Sequence, residues 1–213
     1  MKKLEAKKIF NGQCEFLFGA HTYLQIPVTT QPEIAFIGAS NVGKSSLINA
    51  ITGRKIAIVS TTPGRTRQLN FFKIADGFTQ SFSQGFVLVD MPGYGFAKAK
   101  SKDIEHWQKT ALEYLTKRPN LKRLFLLLDP IKGLKESDRD MINILNAVAV
   151  SFQIIFTKTD KLNKEVQKKA AEKIAKEILK WPAAHPKIIF TSSAKGYGIN
   201  DIQDSIIEVL QHL

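Results

Sequence analysis

The sequence predicts an α/β fold: a mostly parallel, doubly wound sheet flanked by helices on both faces. Two observations lead there. Five short apolar runs alternate with helix-length amphipathic stretches, the order expected of repeated strand–helix–strand units. Each run is apolar at consecutive rather than alternate positions, as in strands covered on both sides.

Taken in order, "IAFI" (34–37) is the first such strand, and the helix near 44–53 follows it. "FVLV" (86–89), between Gly85 and Asp90, is the second, with a helix near 103–117 behind it. "RLFLLL" (123–128) ends at Asp129 and Pro130 and leads to a helix near 136–149. "QIIF" (153–156) precedes a lysine-rich stretch, 163–180, whose Ile and Ala spacing fits an amphipathic helix with its lysines outward. "KIIF" (187–190) and a helix near 199–212 complete the pattern. The segment "NGQCEFLFGAHTYLQIP" is expected to be an edge strand or packing arm, so residues 1–30 form an arm on a single domain, 31–213.

Composition narrows the function classes. At 213 residues, 44% of them hydrophobic, the chain can bury one substantial core. No apolar run approaches the ~20 residues that span a bilayer, and "MKKLEAKKIF" lacks the apolar stretch of a secretory signal. Cys14 is the single cysteine, which excludes an internal disulfide and fits a reducing interior. A cytoplasmic protein is expected, with no membrane partner. The net charge of +12 favours a polyanion as partner.

The strongest motif is "GASNVGKSS", which matches G-x-x-x-x-G-K-[ST] directly after "IAFI". Gly38, Ala39, Ser40, Asn41, Val42 and Gly43 turn backbone N–H groups around phosphate oxygens. Lys44 reaches the outer phosphates, and the Ser45 hydroxyl is an Mg²⁺ ligand at the start of a helix whose dipole favours anions. The fold is therefore expected to be that of a P-loop NTPase. Asp90, Met91, Pro92 and Gly93 form a D-x-x-G after "FVLV", with Asp90 on Mg²⁺ through water and the Gly93 N–H toward a γ-phosphate.

"TKTD" (Thr157, Lys158, Thr159, Asp160) reads the base. A carboxylate at Asp160 accepts two hydrogen bonds from guanine that adenine cannot give, a preference for GTP of at least about a hundredfold. Thr157 stands where Asn is commoner, so one contact is expected to be weaker. Thr191, Ser192 and Ser193 bring small residues close to the guanine carbonyl. Between the phosphate loop and Asp90, Gly64, Arg65, Thr66, Arg67 and Gln68 form a first switch. Thr66 is assigned to Mg²⁺ and γ-phosphate, with Thr61 and Thr62 as alternatives. All these motifs start where an apolar run ends, the end at which such sheets bind ligands.

With these residues in place, the chain resembles the TRAFAC GTPases and, within them, the EngB family of bacterial ribosome-assembly GTPases. "SNVGKSSLINA" (40–50), "TPGRTRQLNFF" (62–72), "LVDMPGYGFAKA" (88–99) and "TKTDKL" (157–162) carry the likeness. It implies one GTP-binding domain with Mg²⁺, acting late in large-subunit assembly, associated with normal cell division and septation. The threonine at Thr157 is shared with the family. "DPIKGLKESD" (129–138) is less typical, and no function is assigned to it.

Lys44, Thr66 and Gly93 are the catalytic candidates. Tyr94 occupies the place of a water-orienting glutamine, and the family carries a hydrophobic residue there. Intrinsic hydrolysis is expected to be no faster than on the order of 10⁻⁴ s⁻¹. Asn41 resembles the asparagine with which related GTPases hold an activating K⁺. Arg65, Arg67, Lys98, Lys100 and Lys102, on or beside the switches, are candidate contacts to ribosomal RNA, with a steep salt dependence. The expected partner is a large-subunit precursor rather than DNA, and the chain is expected to be monomeric. The rival readings are a nucleotide-binding scaffold at the division site with incidental hydrolysis, and a P-loop small-molecule kinase.

Overall fold

The structure, a computed structural model, describes residues 9–58, 68–75, 85–94 and 101–212, with 101–107 described as helical backbone alone. Seven strands, β1 (Gln13–Ala20), β2 (Glu33–Gly38), β3 (Leu69–Ala75), β4 (Phe86–Asp90), β5 (Leu121–Leu128), β6 (Phe152–Phe156) and β7 (Ile189–Phe190), form one sheet in the order β1-β3-β4-β2-β5-β6-β7. From β4 to β7 the neighbours are parallel, while β3 runs antiparallel to both β4 and β1. The helices are α1 (Lys44–Thr52), α2 (Ser101–Lys117), α3 (Glu136–Ala147), α4 (Lys164–Ile178) and α5 (Ile199–Gln211).

The strands are apolar throughout because successive side chains enter different cores. Ala35, Ile37, Leu124, Leu126 and Ile154 point to the side covered by α2, α3 and α4, where Tyr114, Ile142, Leu145 and Ile174 meet them. Ile34, Phe36, Phe125, Leu127 and Ile155 point to the side covered by α1 and α5, against Leu47, Ile48, Ile51, Ile202 and Ile206. Phe36 and Phe125 stack across β2 and β5 with centroids 5.1 Å apart. Full burial of one such side chain contributes about 1.5–3 kcal/mol, so the two faces together hold the sheet between its helices.

Local chemistry sets the ends. Gly53 closes α1 in the left-handed conformation, its N–H bonded to Asn49 O. The Asn163 side chain accepts the Val166 N–H at 2.9 Å and starts α4 one residue later than the spacing predicts. At the end of β2 remote from the phosphate loop, the buried Glu33 carboxylate accepts Arg118 Nε at 2.8 Å and Nη2 at 2.5 Å, and the Tyr114 hydroxyl at 2.8 Å. Arg118 Nη1 also donates to Pro27 O at 2.9 Å, fastening the β1–β2 connector to the end of α2.

Two strands depart from expectation. β3 is absent from the sequence reading because Asn70 and Lys73 interrupt its apolar run; it is a strand because it fills the gap between β1 and β4. The expected strand 187–190 shrinks to Ile189–Phe190. Ahead of it, Pro186 has no N–H to give, and His185 and Ala183 bond Phe152 instead.

Candidate nucleotide-binding site

Four of the motifs meet at the carboxyl end of the parallel strands. The phosphate loop leaves β2 at Gly38, where a Cβ would come within 2.9 Å of Leu127 O on β5. Asn41 and Gly43 then take positive φ, 60° and 109°, and turn the chain into α1. The Gly43 value suits glycine, with Lys158 passing close beside it. Lys44 and Ser45 lie in the first turn of α1, whose leading N–H groups have no helical partner. The half-buried Lys44 ammonium crosses to the end of β4 and pairs with Asp90 Oδ1, a carboxylate that is itself buried.

The D-x-x-G segment lies directly against this loop. Met91 N–H donates to Phe36 O at 3.0 Å, Tyr94 N–H to Gly38 O at 3.3 Å, and Ser40 N–H to Tyr94 O at 3.3 Å. A side chain on Gly93 would stand 3.1 Å from Gly38 O and 3.3 Å from Ser40 N and would press on the phosphate loop. Tyr94 is buried, and its hydroxyl donates to Asp138 Oδ1 at 2.8 Å. Burial first, then the charge and hydrogen bond of Asp138, push the phenol far above its ordinary value, so it stays a proton donor. The hydroxyl therefore faces α3 rather than the phosphate loop.

The base-side loops are tied to the phosphate loop by short bonds. Thr157 follows β6, and its Oγ1 donates to Val42 O at 2.7 Å. The hydroxyl thus reaches the phosphate loop directly. Lys158, at φ 57°, stretches back along that loop and donates from Nζ to Asn41 O at 2.7 Å. Thr159 donates from its N–H and Oγ1 to Thr191 O at 3.0 and 3.1 Å, coupling the two base-side loops. Thr191 and Ser192 are buried, Ser193 half-buried, and Asp160 exposed. This arrangement can hold a polyphosphate over α1 and a purine between Lys158, Asp160 and the Thr191–Ser193 turn.

The other candidates are placed differently. The Gln68 amide donates to Asn70 Oδ1 at 2.9 Å and packs against Gly19, on the edge formed by β1 and β3. Thr61, Thr62, Gly64, Arg65, Thr66, Arg67, Lys98 and Lys100 lie outside the described residues, and Lys102 is described only as part of the α2 backbone. Asp138 is the residue that sequence reasoning missed. Its Oδ2 accepts the Lys135 N–H at 2.9 Å, so its one legible signal is that of a helix cap.

Comparison with known proteins settles the family. A family model described as "50S ribosome-binding GTPase" matches residues 33–158. A probable GTP-binding protein EngB from Gluconobacter oxydans is 46% identical over 203 residues, 95% of this chain and 86% of that protein. The chain belongs to the EngB family of GTP-binding proteins. It is a GTPase, binding GTP and GDP as the family does. The EngB-type protein of Rhodospirillum rubrum is 43% identical, across 93% of this chain and 86% of its own. Among solved structures, a probable GTP-binding protein EngB aligns with TM-score 0.63 and 24% identity, covering 85% of this chain and 100% of that one. Era in complex with MgGDPNP and a segment of 16S ribosomal RNA aligns with TM-score 0.68 and 21% identity, over 85% of this chain and 57% of that one. Both share the fold. Among the described residues, no helix of this EngB-family chain is long and apolar enough to cross a membrane.

Proposed function

We propose that this GTPase is a slow, GTP-driven switch in late assembly of the large ribosomal subunit, docking on ribosomal RNA in the cytoplasm. In the same reading it is needed for normal cell division and septation. The observation that carries the reading is the seating of the second switch: Gly93 rests on Ser40, Lys44 pairs with Asp90, and Tyr94 is buried against Asp138. A segment so placed registers a third phosphate, yet offers no side chain to orient water.

In this reading the backbone of Gly38 to Gly43 and the Lys44 ammonium hold the phosphates, and Thr157 to Asp160 with Thr191 to Ser193 hold guanine. Mg²⁺ keeps several waters and is held by few protein oxygens together with substrate phosphates, which suits a hydroxyl at the start of α1 and one carboxylate at the end of β4. Ser45 and Thr66 would hold it directly and Asp90 through water. Bound there, it neutralises charge on the phosphates. Gly64 to Gln68 are the first switch, Asn41 is a K⁺ ligand, and Arg65, Arg67, Lys98, Lys100 and Lys102 meet RNA phosphates. The family's description as a ribosome-binding GTPase and the charge of +12 support the partner.

Co-sedimentation with large subunits under GTP analogue, GDP and no nucleotide tests the switch. Binding should be strongest with the analogue, and nucleotide-independent binding would refute a GTP-driven cycle. Single-turnover hydrolysis in K⁺ and Na⁺, with and without subunits, should be slow alone and faster with subunits and K⁺. Equal rates in all four conditions would remove both stimulants.

A further inference from the structure

The segment 129–138, to which the sequence assigns no function, ends at Asp138 in the first turn of α3, and that residue holds the second switch. The Tyr94 ring is anchored at two ends. Its backbone is clasped to the phosphate loop by the Tyr94 N–H to Gly38 O and Ser40 N–H to Tyr94 O bonds, both 3.3 Å. Its hydroxyl is fixed to Asp138 Oδ1, and the other carboxylate oxygen of Asp138 is fixed to the Lys135 N–H. Asp138 is 4% exposed and sits at the start of a helix whose Met141, Ile142 and Leu145 are buried in the core. This end of the link cannot drift.

Gly93 leaves no gap over Ser40: even a methyl group would be crowded there. A phosphoryl group with three terminal oxygens needs several times that space. If Gly93 faces the γ-phosphate, as proposed above, a triphosphate must lift residues 93 and 94 off the loop. A diphosphate that ends at Lys44 need not. A rigid phenol cannot rise with its backbone while its hydroxyl stays on a fixed carboxylate. We infer that Asp138 is a positioning residue which, through the Tyr94 hydroxyl, holds the second switch in the diphosphate arrangement and so sets the preference for GDP over GTP. The bond forms a latch that GTP has to open, and the 129–138 loop is the part of the surface that registers its opening. A ligand shifts such an equilibrium only by its differential affinity for the two states, so the latch is measurable as a ratio of affinities.

The test is equilibrium binding of GDP and of a non-hydrolysable GTP analogue to the full chain and to Tyr94→Phe, Asp138→Ala and the double variant. Each single change should raise affinity for the analogue relative to GDP by roughly three- to tenfold, the worth of one buried hydrogen bond. The double variant should go no further than the larger single one, since both remove the same bond. Loss of the Lys135 cap in Asp138→Ala weakens both nucleotide states alike and drops out of the ratio. Should Asp138→Ala not fold, Tyr94→Phe still decides, together with amide exchange of the wild type. Peptides over 130–140 should exchange faster with the analogue than with GDP. An unmoved ratio in Tyr94→Phe, additive single effects, or equal exchange in both states would each overturn the latch. A wild type that binds neither guanine nucleotide would overturn the site assignment and the latch with it; tight binding with an unmoved ratio overturns the latch alone.

Discussion

Replacing Thr157 with valine preserves its shape and removes one hydroxyl. In the structure that hydroxyl is 2.7 Å from Val42 O and 3.3 Å from Leu128 O, so its proton goes to the phosphate loop. The Thr157 N–H stays on Leu128 O and keeps the backbone in place. The loss is thus confined to one tie between the base-side loop and the phosphate loop. A buried hydrogen bond is worth about 1 kcal/mol net, and withdrawing a donor from a buried carbonyl raises the cost to about 1–3 kcal/mol. Burial of the new methyl group returns about 0.8 kcal/mol. About 0.2–2.2 kcal/mol should remain. For a chain of this size that lowers Tm by up to roughly 9 °C. Because the tie fixes the distance between the phosphate loop and the base-side loop, GTP affinity of the folded protein should also fall, by roughly three- to tenfold. Thermal melting and fluorescent-nucleotide titration of Thr157→Val and Thr157→Ser measure both. Serine keeps the donor and should recover most of each loss. A valine variant with wild-type Tm and affinity would refute the idea that this hydroxyl joins the two half-sites.

Glu33→Gln removes the charge that compensates the buried Arg118 guanidinium. Breaking one partner of such a pair should cost about 3–5 kcal/mol in urea denaturation. Nucleotide affinity of the folded fraction should not change, since Glu33 is at the far end of β2. On the surface, Arg139 donates to both carboxylate oxygens of Glu177, at 2.5 and 3.3 Å, and holds that carboxyl below its usual range, chiefly by hydrogen bonding. A depressed folded-state value means stability present above the ordinary value of 4.5 and lost as pH falls through the folded one. Stability profiles of wild type and Glu177→Gln should therefore converge below that range and separate above it, less so in high salt. Parallel profiles at all pH values would show the pair to be idle.

The parallel half of the sheet was legible because its chemistry is local: consecutive apolar residues, a glycine, aspartate or threonine to end each run, a lysine-rich amphipathic helix after one of them. β3 was not, because Leu69–Ala75 carries Asn70 and Lys73 and becomes a strand through pairing with β1 and β4. The same divide runs through the site. Gly38 to Ser45 and Asp90 to Gly93 are visible because each is a compact motif of fixed residue types and spacing at the end of an apolar run. The Tyr94–Asp138 bond joins residues 44 positions apart, and nothing in "DPIKGLKESD" announces it beyond an acidic residue suited to a helix start. Glu33, Tyr114 and Arg118 are hidden likewise: each reads as an ordinary polar residue until β2 and α2 bring them together.

The bond lengths around the phosphate loop indicate which half of the site yields when a third phosphate arrives. Toward the base, Thr157 and Lys158 hold Val42 O and Asn41 O at 2.7 Å each, the second with a full positive charge on the donor. Toward the second switch, the backbone bonds to Gly38 O and from Ser40 N–H are 3.3 Å, at the long end for an amide donor. In the function proposed above, the Lys44–Asp90 pair would exchange partners rather than lose them, with phosphate on the ammonium and Asp90 holding Mg²⁺ through water. Entry of the γ-phosphate thus meets weak backbone bonds and a replaceable ion pair on one side, and short bonds on the other. What resists on the yielding side is the Tyr94 hydroxyl on a buried carboxylate. Among the described residues, it is the side-chain bond of the second switch that such an opening would break without a substitute partner.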